Sequence, residues 1–175
     1  SIAKKFSGDT NEILNFNGIS AGSPLSPGLA LIIPNGEAEV IAPVATRKST
    51  SKATGVSGPA YVGYYKRPIA GGVRTQGIHG YNGVDLANSC GTPITAAANG
   101  DVLIAKETGW NSGYGQYVVV AHPNGTQTLY AHLNGIVVGP GWTVYQGQVL
   151  GYVGTTGLST GCHIHFEVRG ARNPF

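Results

Sequence analysis

The histidines of this chain are concentrated where its sequence could build a metal site. All five follow residue 78 of the 175-residue chain: His79, His122, His132, His163 and His165. The last two stand one residue apart in a run, residues 163–168, that is typical of a β-strand, so alternation of side chains turns both imidazoles to one face. Such an H-x-H pair occurs on solvated strand faces as well as at metal sites. Its small and apolar neighbours, Gly161 and Phe166, favour a lined groove.

Two further residues could complete a metal site with the H-x-H pair. A catalytic zinc ion takes about three protein ligands from His, Asp or Glu and keeps one position open for water. His79 and Asp85 lie together in the segment GIHGYNGVDLA, whose glycines permit a bend. Each has an ordinary alternative, since Asp85 could be a buried cap and His79 a loop residue. Their occurrence together with H-x-H favours the metal site.

The elements that must hold these side chains are predicted to be mainly β-strands. Short apolar runs between turn residues predict strands at residues 93–98, 100–105, 117–121, 126–132, 137–138, 149–153 and 163–168. Pro-Asn-Gly at 123–125 separates two of them and is typical of a tight hairpin turn. His122 beside this turn is expected at an exposed strand end. The predicted fold class is mainly β, an antiparallel sheet with a groove.

The beginning of the chain predicts a small segment with helices. Residues 1–6 and 9–16 have helical spacing, and Asp9 or Thr10 is the expected N-cap of the second helix. Residues 29–33 are apolar and are followed by a proline, which indicates a strand that ends there.

A linker is predicted after this segment. Residues 37–60 are rich in Ala, Ser, Thr, Lys and Pro and have no apolar periodicity. Their basic cluster, Arg47, Lys48 and Lys52, indicates a solvated stretch or a loose attraction to an anionic polymer. The predicted organisation is a small segment, this linker and a larger domain, at residues 1–36, 37–60 and 61–175.

The composition excludes several functional classes. Only 11% of the residues are charged, which disfavours coiled coils and charge-rich helical bundles. The net charge is +3 and the Lys and Arg residues are dispersed, so no basic stripe and no nucleic-acid partner are predicted. The apolar runs are far shorter than the roughly 18 residues of a membrane-spanning helix, so no membrane span is predicted.

Three sequence blocks of the larger domain resemble the lysostaphin-type (LytM-like) zinc endopeptidases. They are an H…GxD segment, YAHL and STGxHxHFEVR, in the order of that family over residues 77–175. The resemblance implies a mainly β peptidase domain with one zinc ion per chain. It also implies cleavage of the peptide cross-links of bacterial peptidoglycan, and therefore an exported protein of the periplasm or cell wall.

The resemblance implies a role for each of five residues. His79, Asp85 and His165 correspond to the zinc ligands of the family. His132 and His163 correspond to the histidines that assist catalysis. Since the chain has no HExxH glutamate, one of these two would accept a proton from water and the other would stabilise the oxyanion, in either assignment.

One spacing departs from the family pattern. The family usually spaces its first two ligands by four positions, whereas His79 and Asp85 are six apart. Either residues 81–82 bulge out between two glycines and both ligands converge, or the first ligand is displaced. We favour the bulge, because glycine tolerates unusual backbone angles.

Two other readings of the larger domain belong to different classes. The first is a non-catalytic wall-binding or amidase-activating relative, in which the ligands are usually lost. The second is a biotinyl- or lipoyl-type carrier, which the segments GDVLIA and VYQGQVLGYVG resemble. A carrier needs a lysine in a β-turn, typically beside methionine, and the chain has no Met.

Residues 1–36 resemble about the last three-quarters of a LysM module, a glycan-binding unit of two helices on a two-stranded sheet. The resemblance lies in IAKKF, NEILNFNGIS and LxPGLxLIIP, and the opening strand of the module is missing. It implies binding of N-acetylglucosamine-containing glycan, which would hold an enzyme on the wall. The alternative is a helical hairpin without a function of its own.

The two cysteines each lie beside a presumed ligand strand. Cys90 follows Asp85 by five residues, and Cys162 directly precedes His163. Because an exported enzyme favours pairing, we predict a disulfide that braces the two strands. The alternative is a pair of free thiols that act as small core residues.

Overall fold

In a computed structural model of the chain, the described residues are 2–5, 9–17, 19–25, 31, 33 and 58–175. The chain divides into two compact units, Ser1–Ala53 and Thr54–Phe175. Most of the predicted linker and most of the predicted strand at 29–33 lie outside the described residues.

Two short helices form in the first unit, as their spacing predicted. Helix α1 spans Ile2–Lys5 and helix α2 spans Thr10–Asn17. The carboxylate of Asp9 accepts a hydrogen bond from the backbone N–H of Asn11 at 2.8 Å, so Asp9 is the N-cap of α2. Among the described residues, no helix has the length and apolar character needed to cross a membrane.

The described part of the second unit is built on a nine-stranded antiparallel sheet, which confirms the predicted mainly β fold. Its strands in chain order are β1 (Val73–His79), β2 (Gly83–Ala87), β3 (Pro93–Thr95), β4 (Gly100–Lys106), β5 (Gln116–Ala121), β6 (Gln127–Ile136), β7 (Thr143–Val144), β8 (Val149–Val153) and β9 (His163–Arg169). The hydrogen-bonded order is β1-β2-β9-β6-β5-β4-β7, and β8 pairs with both β3 and β6. Strand β9 therefore lies between β2 and β6.

Strand β9 separates the main core from a polar face of the sheet. Its residues Ile164, Phe166 and Val168 are fully buried and belong to the main hydrophobic core. Because side chains alternate, the odd-numbered residues of β9 lie on the opposite face. In β5, residues 118–120 are all fully buried, as expected for a strand that is covered on both faces.

The predicted hairpin forms between β5 and β6. The backbone N–H of His122 donates to the carbonyl of Thr126 at 2.9 Å, and Gly125 in the turn has a φ of 80°. Glycine adopts this left-handed conformation without steric strain.

Three strands differ from the sequence-based prediction. Residues 137–138 are not a strand, and a short edge strand, β7, lies at Thr143–Val144 instead. Strands β1 and β2 were not predicted from the sequence. Strand β1 is largely exposed and has few apolar residues, while β2 has only five residues with Asp85 in its middle.

A disulfide joins Cys90 and Cys162, which confirms the predicted pairing. The first cysteine follows β2 and the second directly precedes β9. The bond therefore ties the loop after β2 to the beginning of the strand that carries the H-x-H pair.

Candidate metal centre

Asp85 is the residue around which the site is organised. It lies in the middle of β2, directly opposite His165 of β9. Its Oδ1 atom is 2.9 Å from Nδ1 of His165, and its Oδ2 atom is 3.9 Å from Nε2 of His163. Both histidines of the H-x-H pair therefore turn to the same carboxylate, in agreement with the alternation of a strand.

His79 reaches the same carboxylate from the end of β1. Its Nε2 atom is 3.3 Å from Oδ1 of Asp85. Residues 80–82 form the turn to β2, and the positive φ angles of Gly80 (51°) and Asn82 (61°) let the chain reverse there. The side-chain amide of Asn82 anchors the turn by donating to two backbone carbonyls, each at 2.6 Å. Residues 81–82, which the sequence analysis expected to bulge out, thus lie in this turn.

Three potential ligand atoms converge at this place. One donor atom each from His79, Asp85 and His165 lie within 4.8 Å of one another. Two imidazole nitrogens and one carboxylate oxygen match the three protein ligands that a catalytic zinc ion takes. The donor set therefore fits zinc.

Hydrogen bonds on the far side of each imidazole determine which nitrogen can bind. Nδ1 of His79 donates to the carbonyl of Gly77 at 2.7 Å, and Nε2 of His165 donates to Oε1 of Glu167 at 3.0 Å. A neutral imidazole has one N–H, so when each ring is neutral with its N–H on this far side, the lone pairs are on Nε2 of His79 and Nδ1 of His165. These are the two nitrogens that face Oδ1 of Asp85. Such outer hydrogen bonds are typical of metal-ligating histidines.

Gly83 provides the space that the His165 ring occupies. A Cβ atom at this position would lie 2.4 Å from Cε1 and 2.6 Å from Nε2 of His165. These distances are far inside van der Waals contact, so a larger residue would displace the imidazole from Asp85.

His132 and His163 form a second pair beside the three donors. Strand β6 pairs directly with β9 in the same sheet, and the centroids of the two rings are 4.7 Å apart. Nδ1 of His132 donates to the carbonyl of Thr156, and Nδ1 of His163 donates to the carbonyl of Gly161, both at 2.8 Å. In the neutral form, each ring therefore has its lone pair on Nε2.

The backbone at His132 is strained. Its φ angle is 62°, a backbone conformation that residues other than glycine rarely adopt. The strained residue is held by hydrogen bonds from its N–H to the carbonyl of Tyr114 at 2.9 Å and from its ring to Thr156. Strain that is held in this way concentrates at functional sites.

The charges of the site shift the pKa values of its groups. Burial alone would raise the pKa of Asp85, but the hydrogen bond to His165 and the charges of the nearby histidines lower it. Burial alone would lower the pKa of His165, but Asp85 and Glu167 raise it to about 9 through hydrogen bonds and charge. The two carboxylates therefore favour positive charge here. Burial lowers the pKa of His132 to about 4, so this ring is neutral at pH 7.

The sequence analysis did not single out Glu167, which contacts His165, or two of the residues that contact Glu167, Tyr114 and Arg169. Glu167 is fully buried, and it accepts hydrogen bonds from Oη of Tyr114 at 2.6 Å and from Nε of Arg169 at 2.7 Å. Burial raises the pKa of Glu167, but the charge of Arg169 and the hydrogen bond from His165 lower it overall. Strand alternation could have identified two of the three, because Glu167 and Arg169 continue the face of the H-x-H pair.

His122 lies apart from this site and is buried, so the prediction of an exposed strand end was wrong. The residue is only 5% exposed. Its Nδ1 atom donates to the carbonyl of Asn99 at 2.8 Å, and its Nε2 atom is 2.9 Å from Oγ1 of Thr128. The segment before β4 covers this end of the hairpin, a long-range contact that the local sequence does not indicate.

The sequence profile of Peptidase family M23 matches residues 79–175. The matched segment begins at His79 and includes the other two donor residues and the His132–His163 pair. A crystal structure of an M23 peptidase candidate from Pseudomonas aeruginosa superposes with a TM-score of 0.54 at 35% sequence identity, covering 64% of this chain and 48% of that one.

Two curated relatives align with the same part of the chain. The DD-carboxypeptidase/endopeptidase Mpg of Neisseria meningitidis is 41% identical over 116 residues, which are 66% of this chain and 24% of Mpg. The peptidoglycan DD-endopeptidase ShyA of Vibrio cholerae is 40% identical over 95 residues, which are 54% of this chain and 21% of ShyA. The chain therefore matches about a quarter or less of the length of these relatives.

Proposed function

Because this chain belongs to peptidase family M23, we propose that it is a zinc-dependent endopeptidase that hydrolyses the peptide cross-links of bacterial peptidoglycan. The observation that carries the proposal is the convergence of His79, Asp85 and His165, whose donor atoms lie within 4.8 Å of one another. Both imidazoles are oriented by hydrogen bonds that leave a lone pair toward Asp85. A solvated strand face would not require this combination.

The three donors would hold one zinc ion through Nε2 of His79, Oδ1 of Asp85 and Nδ1 of His165. Bound zinc supplies a Lewis acid that lowers the pKa of a water molecule and polarises a scissile carbonyl group. The protein contributes the fixed orientation of these ligands. Asp85 and His165 are fixed by the pairing of β2 with β9, and His79 is fixed by the turn at 80–82.

His132 and His163 would assist the hydrolysis in two different roles. We assign acceptance of the proton of the attacking water to Nε2 of His132, because burial keeps this ring neutral and Nδ1 is already bonded to Thr156. His163 would stabilise negative charge on the carbonyl oxygen, since its ring lies beside that of His132 and its Nε2 atom is 3.9 Å from the carboxylate of Asp85.

The names of the relatives support peptidoglycan as the substrate. Mpg is named as a DD-carboxypeptidase/endopeptidase, and ShyA is named as a peptidoglycan DD-endopeptidase. We therefore propose cleavage of a cross-link that contains D-alanine in preference to a glycine-containing bridge. Such a substrate would place the protein in the periplasm or at the cell wall after export.

The first part of the chain would support this activity by binding glycan. We propose a partial LysM-like segment at 1–36, a linker at 37–60 and the peptidase domain at 61–175. Binding of the glycan strands by the segment would raise the effective concentration of the peptidase domain at its cross-links.

Digestion of purified sacculi by the zinc-loaded protein tests the proposed function. Mass spectrometry of the released fragments should show cross-linked dimers converted to monomers with new amino and carboxyl ends. Asp85→Ala should release none, whereas His122→Ala is the control with a distant buried histidine replaced. A wild-type protein that binds zinc and sacculi without cleaving them would instead be a non-catalytic wall-binding or amidase-activating relative.

A further inference from the structure

Glu167 is a buried carboxylate on the face of β9 that carries the zinc ligands. Its side chain is 0% exposed, and its Oε1 atom lies 3.0 Å from Nε2 of His165. A buried charge is strongly destabilising unless partners compensate the loss of water. Both oxygens of this carboxylate have such partners.

The partners of Glu167 fix its position. Oη of Tyr114 donates to Oε1 at 2.6 Å, and Nε of Arg169 donates to Oε2 at 2.7 Å. A second nitrogen of the same guanidinium, Nη2, lies 2.5 Å from Oε2. Oε2 therefore contacts the guanidinium of Arg169, while Oε1 contacts both the hydroxyl of Tyr114 and the imidazole of His165.

This arrangement selects one tautomer of His165. An ionised carboxylate can only accept hydrogen bonds, so Glu167 requires the N–H at Nε2. Without a metal, an N–H at Nδ1 would also donate to Oδ1 of Asp85, 2.9 Å away. When zinc takes the place of that proton, the N–H at Nε2 leaves the lone pair on Nδ1 as the ligand. The other neutral tautomer would place its N–H between His165 and Asp85 and would remove Nδ1 as a ligand.

The acceptor behind His165 differs from those behind the other histidines of the site. His79, His132 and His163 each donate through Nδ1 to a backbone carbonyl, whereas His165 donates to a charged carboxylate. Hydrogen bonds to charged acceptors are about twice as strong as neutral ones. A carboxylate also makes the imidazole a more basic ligand.

We propose that Glu167 is a positioning residue that holds His165 in the Nδ1-binding tautomer and thereby strengthens the binding of zinc. This inference rests on the proposed zinc site. Tyr114 and Arg169 would act one step further out, by orienting the carboxylate.

Zinc affinity measured by competition with a chromophoric chelator tests the proposal. Glu167→Gln keeps the size of the side chain but removes its charge, so the dissociation constant for zinc should rise by about 10–100-fold. The double variant E167Q/R169Q should show the same loss of zinc affinity. Because it removes the guanidinium together with its carboxylate partner, it can be measured if E167Q alone does not fold. Glu107→Gln is the matched control, because it makes the same substitution at an exposed glutamate outside the site.

The variants separate positioning from a merely structural role. If Glu167 acts by positioning, E107Q keeps the wild-type zinc affinity while E167Q loses affinity. Equal losses in E167Q and E107Q would overturn the proposal, because the loss would then not depend on the contact with His165. Wild-type affinity in folded E167Q or in the double variant would also overturn it.

Nitrogen-15 spectra of the imidazole rings give a second readout that does not depend on activity. In the zinc-loaded wild type, His165 should be protonated at Nε2 and bound through Nδ1. The reverse assignment would overturn the proposal. A wild-type protein that binds no zinc at all would refute the proposed function itself, and this outcome is distinct from every outcome of the E167Q comparison.

Discussion

His122 and His132 are both buried histidines of the β5–β6 hairpin, yet their rings are engaged differently. Both ring nitrogens of His122 have protein partners, the carbonyl of Asn99 and Oγ1 of Thr128. The ring of His132 is bonded through Nδ1 to Thr156, and among the described residues no hydrogen-bond partner is found for its Nε2. The first ring is confined to a structural role, whereas the second retains a lone pair for chemistry.

Burial and pKa do not distinguish these two histidines. Burial lowers the pKa of both His122 and His132, so both are neutral at pH 7. What differs is the neighbourhood, since the His132 ring lies 4.7 Å from that of His163. A ring nitrogen without a hydrogen-bond partner, close to other histidines of the site, is therefore a better sign of function than a shifted pKa.

Removal of Asp85 should produce the largest effect and should leave the His122 region intact. We expect Asp85→Ala to abolish both zinc binding and hydrolysis, because it removes one of three ligands and their only carboxylate. His165→Ala and His79→Ala should behave alike. Zinc content by mass spectrometry and release of peptides from sacculi provide the measurements. One zinc per chain in folded D85A would contradict the assignment.

Replacement of each of the two buried histidines tests the comparison directly. His132→Ala should lower kcat by roughly two to four powers of ten while zinc occupancy stays near normal, because the ring moves a proton and is not a ligand. His163→Ala should behave in the same way. His122→Ala is the control and should keep the wild-type kcat when assayed well below its unfolding temperature. Full activity in H132A would make its imidazole a packing residue only.

Two glycines sharpen the same contrast at the backbone. A Cβ on Gly83 would lie 2.4 Å from Cε1 of His165, and a Cβ on Gly100 would lie 2.9 Å from Nδ1 of His122. Gly83→Ala should weaken zinc binding by about tenfold or more, because the ligand ring must move. Gly100→Ala should destabilise the fold by about 1–3 kcal/mol and leave zinc affinity unchanged. Chelator competition and thermal unfolding measure the two effects; equal zinc affinities in both variants would contradict the contrast.

The smallest effect concerns stability alone. His122→Ala leaves the carbonyl of Asn99 and the hydroxyl of Thr128 without this partner, which should cost about 1–3 kcal/mol at pH 7.5. Burial lowers the pKa of His122 below its ordinary value of 6.5, so the unfolded chain binds the proton more readily. The wild type should therefore lose stability as the pH falls below about 6.5, and H122A should lose less. Parallel pH profiles of unfolding in urea would contradict this.

Local patterns were sufficient for the parts of the site that lie within one strand or turn. The alternation of β9 predicts that His163 and His165 share a face, and the structure turns both to Asp85. The Pro-Asn-Gly turn predicts the β5–β6 hairpin. His79 and His132 were identified only through the resemblance to a known family. Their chemical roles remain proposals.

Contacts between distant segments could not be derived from the sequence. Asn99 covers His122 from outside the hairpin, so an apparently exposed strand end is buried. Glu167 was present in the quoted motif, but its role depends on Tyr114, which approaches from a loop 53 residues earlier in the chain. Strand β1 is an exposed edge that gains its order from pairing with β2, and its own sequence lacks an apolar alternation.

Stepwise addition of zinc to chelator-stripped protein, with hydrolysis of sacculi recorded at each step, tests the central claim most directly. The account predicts that the stripped protein is inactive and that activity rises in proportion to bound zinc. The rise should end at about one zinc per chain, the capacity of a single site with three protein ligands. Full hydrolysis by the stripped protein, or zinc binding that D85A does not reduce, would contradict the account.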